Sequence, residues 1–328
     1  MFKTESESPV LTKEMFSKIN ATKSEFKKNM MNALGLTYTD APLFVESRTG
    51  FNDELNYVEQ AVTFTTSTDQ KCQVVQSLAK WKRFFLSRVD FPGVLVNLHA
   101  IRKDEFPETV ESSRMHSFYV DQWDWEMKMT KENRTVEYLK TVVMKIYDQV
   151  LLTQKHLAEK FGESVNKLPN KVFFIDSQEL EDLYPNKTPK EREYAISKEK
   201  GAVFIIGIGH NLKSGKPHDS RAPDYDDWKL NGDLIFYNKV IDNAFEISSM
   251  GIRVDKESLV EQITKLDKKE KLKCLFHRTL LEDKLPLTIG GGIGQSRVVM
   301  FLLDKKHIGE VQFSVWPTKT VEKFTGLL

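Results

Sequence analysis

Glycine fills four of the five positions from 290 to 294, and an apolar run at residues 298–303 follows almost at once. A backbone without side chains can approach a ligand closely, and the apolar run predicts a buried helix. Arg297 lies between the two, so backbone N–H groups and one cation would converge near a helix start, an arrangement that suits a polyanion. A tight turn packed under a core helix is an equally good interpretation of the glycines. The segment is not a Walker A loop, because no Lys-Ser or Lys-Thr follows, and Arg297 replaces the third glycine of a dinucleotide fingerprint.

The charge balance limits the partners of this chain. Its 328 residues include 48 basic and 47 acidic side chains, for a net charge of +1. A domain that binds nucleic acid usually carries a clear basic excess, so we expect no nucleic acid partner. The N-terminus lacks the apolar core of a secretory signal, and the apolar stretch at residues 202–208 is too short to span a bilayer. Cys72 and Cys274 are the only cysteines, which favours a cytoplasmic protein without a disulfide framework or zinc site.

Strand-like and helical segments are mixed along the chain without strict alternation. Helical spacing of apolar residues predicts helices over residues 13–34 and 134–161, each followed by a glycine, and a charged helical region over residues 258–281. Strand-like segments lie at residues 71–75, 94–102, 115–127, 171–175, 202–206, 234–237 and 245–254. A doubly wound parallel sheet needs alternation, so the pattern favours an α+β fold with a mostly antiparallel sheet flanked by helices. No Pro/Gly/Ser-rich linker divides the chain, so we predict a single domain over residues 1–328.

One of the strand-like segments alternates polar and apolar residues. On a strand, Gln122, Asp124 and Glu126 would share one face, because side chains alternate with period two. Trp123 and Trp125 would share the other face, and large aromatic rings favour burial. A solvated sheet face is the commoner fate of such a polar row, but the neighbouring tryptophans argue against a fully wet setting.

Further charged residues stand at the ends of strand-like segments. Arg102 would hold a phosphate bidentately or form an ordinary surface ion pair. Asp233 and Glu246 flank a predicted hairpin, with Arg253 nearby. Two carboxylates so placed can bind Mg²⁺ while nucleotide phosphates complete its shell.

Two polar segments remain open to more than one interpretation. A loop as long as residues 209–227 is usually functional or disordered in a compact domain. Its acidic part, residues 221–228, would neutralise an ammonium group or simply form a turn. In the segment 76–83, Ser77 would cap a helix whose lysines are exposed, and a site for a carboxylate is the functional alternative.

Five motifs together resemble one family. They are SLAKWKR at residues 77–83, YVDQWDWE at 119–126, RAPDYDDW at 221–228, FEISSMGIR at 245–253 and TIGGGIGQSR at 288–297. In this order they are similar to the catalytic domain of class II aminoacyl-tRNA synthetases and, more specifically, to the ammonia-dependent asparagine synthetases, or aspartate–ammonia ligases. The resemblance spans nearly the whole chain. The sequence departs from the family around Asp53, where a second Asn is missing and Tyr57 replaces a small residue.

The resemblance implies a class II synthetase-like fold, a homodimer and a two-step reaction. The β-carboxylate of L-aspartate attacks the α-phosphorus of ATP and expels pyrophosphate. Ammonia then attacks the β-aspartyl-AMP, which yields L-asparagine and AMP. Such a site must supply positive charge where the transition state concentrates negative charge. By analogy, Arg102 would hold the α-phosphate and Arg297 the distal phosphates or the adenine face. Asp233 and Glu246 would bind Mg²⁺ that bridges the phosphates.

The remaining site residues are also implied by the resemblance. The nucleotide-binding set is completed by Asp104, Gly292 and Gly294. The candidates for the amino end of aspartate are Asp226, Gln122 and Ser77, those for its carboxylates are Lys82, Arg253 and Ser249, and Asp124 completes the substrate-binding set. Asp53 is the candidate for receiving ammonium and accepting its proton, since only neutral ammonia is nucleophilic.

The cysteine count gives independent support for ammonia as the nitrogen source. Glutamine-dependent amide transfer needs a cysteine nucleophile at the mature N-terminus or in a partnered triad. Residue 2 is Phe, and neither Cys72 nor Cys274 has evident partners. One rival function, charging tRNA with aspartate or asparagine, would need a tRNA-binding domain for which length and charge leave no obvious room. A second rival, a non-catalytic regulator, is disfavoured because both metal carboxylates and both arginines are present.

Overall fold

Eleven β-strands and nine α-helices are formed by the residues that the computed structural model describes, which are 12–55, 59–104, 112–165 and 167–328. The strands are β1 (Thr37–Tyr38), β2 (Phe44–Glu46), β3 (Thr63–Thr65), β4 (Lys71–Val74), β5 (Gly93–Ile101), β6 (Tyr119–Lys128), β7 (Phe173–Asp176), β8 (Ala202–Ile206), β9 (Asp226–Asn238), β10 (Asn243–Arg253) and β11 (Thr288–Gly294). The helices are α1 (Lys13–Leu34), α2 (Ala79–Leu86), α3 (Val136–Phe161), α4 (Ser177–Leu183), α5 (Pro189–Lys200), α6 (Lys256–Lys265), α7 (Leu275–Leu281), α8 (Gln295–Leu302) and α9 (Thr318–Lys323). Tyr57 and the N-terminal residues 1–11 lie outside the described ranges.

One large mixed sheet organises the chain. Its strand order is β1-β5-β6-β11-β10-β9-β8-β7, and β2, β4 and β3 form a small second sheet. The six central strands, from β5 to β8 in this order, are antiparallel to one another. At the two edges, β1 pairs parallel with β5 and β7 pairs parallel with β8. The predicted α+β fold with a mostly antiparallel sheet is therefore confirmed.

The two faces of this sheet have different roles. On one face, α1, α3 and α8 cover the main apolar core, which includes Phe26, Trp123, Trp125 and Phe236. Trp123 and Trp125 are both fully buried there, as their alternation with polar residues on β6 predicts. Since β6 turns its tryptophans toward the helices, its polar row faces the opposite side of the sheet.

The helices predicted over residues 13–34 and 134–161 are confirmed as α1 and α3, whereas the third predicted helical region is interrupted. Thr12 caps α1 by accepting a hydrogen bond from the Met15 amide at 3.1 Å, and Gly35 ends the helix at φ 64°. The charged region at 258–281 is not one helix, because it divides into α6, a 3₁₀ segment at Lys269–Lys273 and α7. The break falls at Asp267, whose φ of 53° is left-handed and interrupts helical geometry. No helix in the described ranges has both the length and the apolar character that crossing a membrane requires.

The glycine-rich segment is a central strand, neither a turn nor a cradle of free N–H groups. Residues Thr288–Gly294 form β11, which pairs with β6 on one side and β10 on the other. Its backbone groups are therefore engaged in sheet hydrogen bonds and are not arranged around an anion. The expected helix does follow, as α8. What the glycines supply is a sheet surface without side chains.

Candidate active site

A polar cavity of about 270 Å³ opens over the middle of the large sheet. Asp124 on β6, Gly292 on β11 and Ser249 on β10 pair directly across the three strands. All three line this cavity. The floor of the cavity is thus a row of polar side chains on both sides of a bare strand.

The structure brings most of the predicted site residues to this one cavity. Those that line it are Ser77, Arg102, Gln122, Asp124, Asp226, Glu246, Ser249, Arg253, Gly292, Gly294 and Arg297. Four others are not among its lining residues: Asp53, Lys82, Asp104 and Asp233. Asp53, Lys82 and Asp233 are buried behind lining residues, whereas Asp104 is exposed and pairs with Lys103 at 2.8 Å.

Two glycines of β11 leave room that the neighbouring side chains use. A β-carbon at Gly292 would lie 2.9 Å from Cδ of Gln122. A β-carbon at Gly290 would lie 2.6 Å from Nη2 of Arg253 and would also overlap the Glu126 carboxylate. Because such distances are shorter than van der Waals contact, any larger residue on this face displaces the polar side chains of the cavity.

Arg253 is the centre of a buried ionic network beneath the cavity. Its guanidinium makes a two-point ion pair with Glu126, at 2.9 and 2.7 Å, and a further bond to Asp226 at 2.5 Å. Burial opposes ionisation of Glu126, but Arg253 outweighs it and lowers the pKa of that carboxyl. For Asp226 burial prevails over Arg253 and raises the pKa. The network fixes Arg253 and Asp226 at the cavity surface in one geometry.

Lys82 also lies under the floor, so the expectation that the lysines of α2 are exposed is wrong. Its side chain has no exposed surface, forms a close ion pair with Asp124, and donates to the Trp125 carbonyl at 2.8 Å. A buried ammonium is stable only when it is paired and hydrogen-bonded. The second carboxylate oxygen of Asp124, Oδ2, is buried without a hydrogen-bond partner. Asp124 therefore keeps one acceptor for a group that enters the cavity.

Arg297 projects into the cavity from the first turn of α8. Asp121 holds the start of this helix by accepting hydrogen bonds from the amide and hydroxyl of Ser296, at 3.0 and 2.9 Å. The Arg297 guanidinium donates to the backbone carbonyl of Glu246 at 2.9 Å. Arg102 comes directly after β5, and its guanidinium donates to the Gln76 carbonyl at 3.4 Å. Two arginines from different parts of the chain thus line the same cavity.

Asp233 and Glu246 lie on neighbouring strands but in different settings. The carboxylate of Asp233 is tightly paired with Arg221, a residue of the polar loop. Burial, reinforced by the negative charge of Glu246, raises the pKa of Asp233 to about 6. Burial also opposes ionisation of Glu246, yet Arg297, Lys190 and Arg221 outweigh it and lower the pKa of its carboxyl.

The donor set at these two carboxylates fits a divalent cation only in part. Glu246 lines the cavity, and Oδ1 of Asp233 is buried without a hydrogen-bond partner. Arg221 occupies the other oxygen of Asp233, however. Within the described ranges, no group of three or more His, Cys, Asp or Glu side chains is placed to hold a metal ion by itself. A cation here would need oxygen ligands from a bound nucleotide as well.

Asp53 lies directly behind the cavity wall. It is fully buried, and its Oδ2 accepts a hydrogen bond from the amide of Ala79, a lining residue, at 3.0 Å. Its Oδ1 has no hydrogen-bond partner, and Lys80 Nζ is 3.5 Å away. Burial raises the pKa of Asp53, against the lowering influence of Lys80.

The polar loop supplies cavity residues that were not individual candidates from the sequence. Asp219, Ser220, Arg221 and Tyr225 all line the cavity. The available signal was the loop itself, because a long polar connection in a compact domain is often functional. Its assignment as functional is supported by this placement. Arg221 and Tyr225 belong to the motif at residues 221–228, whereas no sequence pattern marks Asp219 and Ser220.

The described fold is similar to that of solved class II aminoacyl-tRNA synthetases. The asparaginyl-tRNA synthetase of Pyrococcus horikoshii, complexed with asparaginyl-adenylate, has a TM-score of 0.66 and 14% identity over 93% of this chain and 70% of its own. The asparaginyl-tRNA synthetase of Entamoeba histolytica, also complexed with asparaginyl-adenylate, has a TM-score of 0.65 and 13% identity over 92% of this chain and 67% of its own. Fold and cavity thus define a protein with the class II synthetase fold.

Sequence comparison identifies the family within that class. The family model for aspartate–ammonia ligase matches residues 13–327. Proteins named aspartate–ammonia ligase from Bacillus cytotoxicus and Bacillus cereus are 52% identical to this chain over 308 and 303 residues, with coverage of 93% and 91% of both partners. The chain belongs to the aspartate–ammonia ligase family and is a ligase of asparagine synthesis.

Proposed function

We propose that this enzyme makes L-asparagine from L-aspartate and ammonia at the expense of ATP, through a β-aspartyl-AMP intermediate, and releases AMP and pyrophosphate. The observation that carries the proposal is the convergence of Arg102 and Arg297 on the cavity that Gln122, Asp124 and Arg253 also line. The two arginines suit phosphates, and the other polar and charged side chains suit a zwitterionic amino acid. The asparaginyl-tRNA synthetases with a similar fold are complexed with asparaginyl-adenylate, which supports an adenylate intermediate here.

The two arginines are suited to the adenylation step. A carboxylate and a triphosphate repel each other, so positive charge must be placed where the reaction concentrates negative charge. Arg102 would bind the α-phosphate and Arg297 the distal phosphates or the adenine face. Gly292 and Gly294 would let the nucleotide approach the sheet closely. Asp104, which is exposed outside the cavity, would join the nucleotide only if its loop moved.

Mg²⁺ would lie at Glu246 and the free oxygen of Asp233, together with phosphate oxygens. When bound, it neutralises phosphate charge in the adenylation step. Two arginines of this chain set the charge of these carboxylates. Arg221 neutralises one oxygen of Asp233, and Arg297 keeps Glu246 ionised.

Aspartate would be oriented by groups at both ends, so that only its side-chain carboxylate faces ATP. Asp226, Gln122 and Ser77 are candidates for the amino end, and the unpartnered Oδ2 of Asp124 supports Asp124 as a further one. Arg253 and Ser249 are candidates for the α-carboxylate. Lys82, buried under the floor, would act by holding Asp124.

In the second step, Asp53 would receive ammonium and take one of its protons. Its Oδ1 is a buried acceptor without a hydrogen-bond partner, behind the wall that Ser77 and Ala79 form. One proton passes from ammonium to the carboxylate, the ammonia nitrogen bonds to the activated carbonyl carbon, and the carbon–oxygen bond to AMP breaks. The nitrogen then releases a second proton to the departing AMP or to water, which leaves the neutral amide. Neither Cys72 nor Cys274 lines the cavity in the described ranges, which supports ammonia over glutamine as the nitrogen source.

We further propose that the chain is a single domain, works in the cytoplasm and forms a homodimer. The exposed side chains of Leu43, Phe44 and Phe64 on and beside the small sheet support an association surface. Sedimentation of the purified protein tests the homodimer, since a monomer at micromolar concentration would contradict it.

The products of ATP test the reaction directly. Protein is incubated with Mg-ATP, aspartate and ammonium, and the nucleotides are separated. We expect AMP and pyrophosphate in amounts equal to the asparagine formed. Accumulation of ADP and inorganic phosphate would mean that aspartate is activated by phosphorylation and would overturn the adenylate mechanism.

A further inference from the structure

Four ionisable side chains form a buried cluster behind the cavity wall, and the reaction described so far uses only one of them. They are Asp53, Lys80 of α2, Asp224 of the polar loop and His277 of α7, and none of them is more than 1% exposed. Lys80 Nζ lies 2.8 Å from Asp224 Oδ2 and 3.5 Å from Asp53 Oδ1. His277 Nε2 lies 2.9 Å from the same oxygen of Asp224.

The arrangement orders the cluster into a chain of contacts. His277 and Lys80 share one oxygen of Asp224, and Lys80 extends from there toward Asp53. Asp224 holds the lysine at the shorter distance, so the ammonium reaches Asp53 without a hydrogen bond. Asp53 Oδ1 therefore faces a positive charge while it keeps its acceptor sites for another donor.

The charge of the cluster is unbalanced. Asp53 and Asp224 are two carboxylates, and Lys80 is one ammonium, so negative charge exceeds positive charge by one before His277 is counted. A buried, uncompensated carboxylate is costly and is relieved by a cation with hydrogen-bond donors. Ammonium is such a cation.

We propose that Lys80, held in place by Asp224 and His277, is a positioning residue that favours the ionised form of Asp53 and orients it to receive ammonium. This inference depends on the proposed role of Asp53 in the ammonia-dependent step. The Lys80 ammonium opposes the effect of burial on the pKa of Asp53 and favours its anionic form, and Oδ1 of that carboxylate is free to accept a hydrogen bond. Without the charge of Lys80, burial and Asp224 act with less opposition and favour the neutral form, which cannot accept a proton.

The other groups that face Asp53 leave Lys80 as the main source of this effect. The Ser77 hydroxyl and Arg253 also lower the pKa of Asp53, but both act more weakly than Lys80, while Asp224 raises it. The negative charge of Glu54 raises the pKa of Lys80, and the positive charge of Lys271 lowers the pKa of Asp224. Tyr225 lies near both carboxylates and is kept neutral because burial raises its pKa.

The test compares the pH profiles of the two half-reactions. Lys80→Met and Lys80→Gln both remove the charge and nearly keep the length of the side chain, and the Gln amide keeps a donor for Asp224. Asparagine formation is measured against ammonium concentration, and aspartate-dependent pyrophosphate exchange is measured in parallel. Lys18→Met is the matched control, because Lys18 also pairs with carboxylates, Glu14 and Glu163, but lies outside the cavity.

We expect either Lys80 variant to shift the acidic limb of kcat/KM for ammonium to higher pH. At pH 7 the ammonia-dependent step falls at least tenfold more than pyrophosphate exchange does. The control leaves the limb in place. The proposal is overturned if the acidic limb of either Lys80 variant stays at its wild-type pH or moves to lower pH, as it would if water entered a loosened site. An equal loss of rate in both half-reactions also overturns it.

Asp53→Asn separates this inference from the function on which it rests. If Asp53→Asn still forms asparagine from ammonium, the role of Asp53 is wrong whatever Lys80 does. If Asp53→Asn blocks that step while the Lys80 variants keep the wild-type limb, only the inference about Lys80 fails. In the Asp53→Asn background, we expect Lys80→Gln to cause no further change in the ratio of the two half-reactions.

Discussion

A β-carbon on Gly292 would lie 2.9 Å from Cδ of Gln122, so the two residues share space that only glycine leaves open. We expect Gly292→Ala to lower kcat/KM for aspartate at least tenfold, which is about 1.4 kcal/mol of transition-state stabilisation. Gly292 does not have a left-handed backbone, and Gln122 can rotate away, so we expect the free energy of unfolding to change by less than about 1 kcal/mol. Steady-state kinetics and denaturant unfolding measure the two effects.

The neighbouring glycine provides the matched control. A β-carbon on Gly291 would lie 2.5 Å from Cβ of Met250 and 2.7 Å from the Ser249 carbonyl, on the core side of the strand. Gly291→Ala should therefore destabilise the fold by about 1–3 kcal/mol through overpacking. Equal loss of stability in both variants would show that Gly292 serves packing and not the cavity.

Substitution of Arg297 should mainly lower activity, whereas substitution of Arg253 should mainly lower stability. Arg297 makes a hydrogen bond to a backbone carbonyl and is partly exposed, so Arg297→Met should slow pyrophosphate exchange at least 100-fold, about 2.7 kcal/mol, with little change in stability. Arg253→Met leaves Glu126 and Asp226 buried without their cation, and should cost about 3–5 kcal/mol of unfolding free energy. Kinetics and thermal unfolding of both variants measure this contrast.

The reverse result would be informative. If Arg297→Met unfolded the protein while keeping the activity of its folded fraction, Arg297 would be a structural residue. A stable Arg253→Met with normal affinity for aspartate would remove Arg253 from the substrate site.

Local alternation predicted the part of the site that lies on strands. The period of two placed Gln122 and Asp124 on one face of β6, opposite Trp123 and Trp125, and the structure has this arrangement. Such a pattern is readable because a half-buried strand must alternate. The glycine-rich strand β11 has no side chains at four positions, so it gives no such pattern, and its strand character follows only from pairing with β6 and β10.

Burial of charged residues could not be read from the sequence. Lys80 and Lys82 look like surface residues of a short helix, yet each has a carboxylate partner more than 40 positions away. Asp233 is buried as well, and its partner Arg221, 12 positions away, lies in a loop without regular structure. Composition and spacing report neighbours within one element, whereas these ion pairs depend on how the elements pack against one another.

Asp53→Asn should separate the two half-reactions. The amide cannot accept a proton, so we expect asparagine formation from ammonium to fall at least 100-fold while aspartate-dependent pyrophosphate exchange stays within about threefold of wild type. Asp242→Asn is the control, because Asp242 is exposed and outside the cavity, and it should change neither rate by more than about twofold. Equal loss of both activities in Asp53→Asn would remove Asp53 from the ammonia step.

The pKa of Asp233 predicts how the requirement for Mg²⁺ depends on pH. Because burial and Glu246 raise this pKa to about 6, Asp233 is protonated below pH 6 in the metal-free protein and attracts a cation less. The Mg²⁺ concentration that gives half-maximal pyrophosphate exchange should therefore rise as pH falls through about 6.

Arg221 lowers the pKa of Asp233, so Arg221→Met should move this transition to higher pH, and Asp233→Asn should abolish it. Asp242→Asn, at an exposed carboxylate, should leave it unchanged. A requirement for Mg²⁺ that stays constant between pH 5 and 8 in the wild-type enzyme would show that Asp233 does not contribute to the cation site.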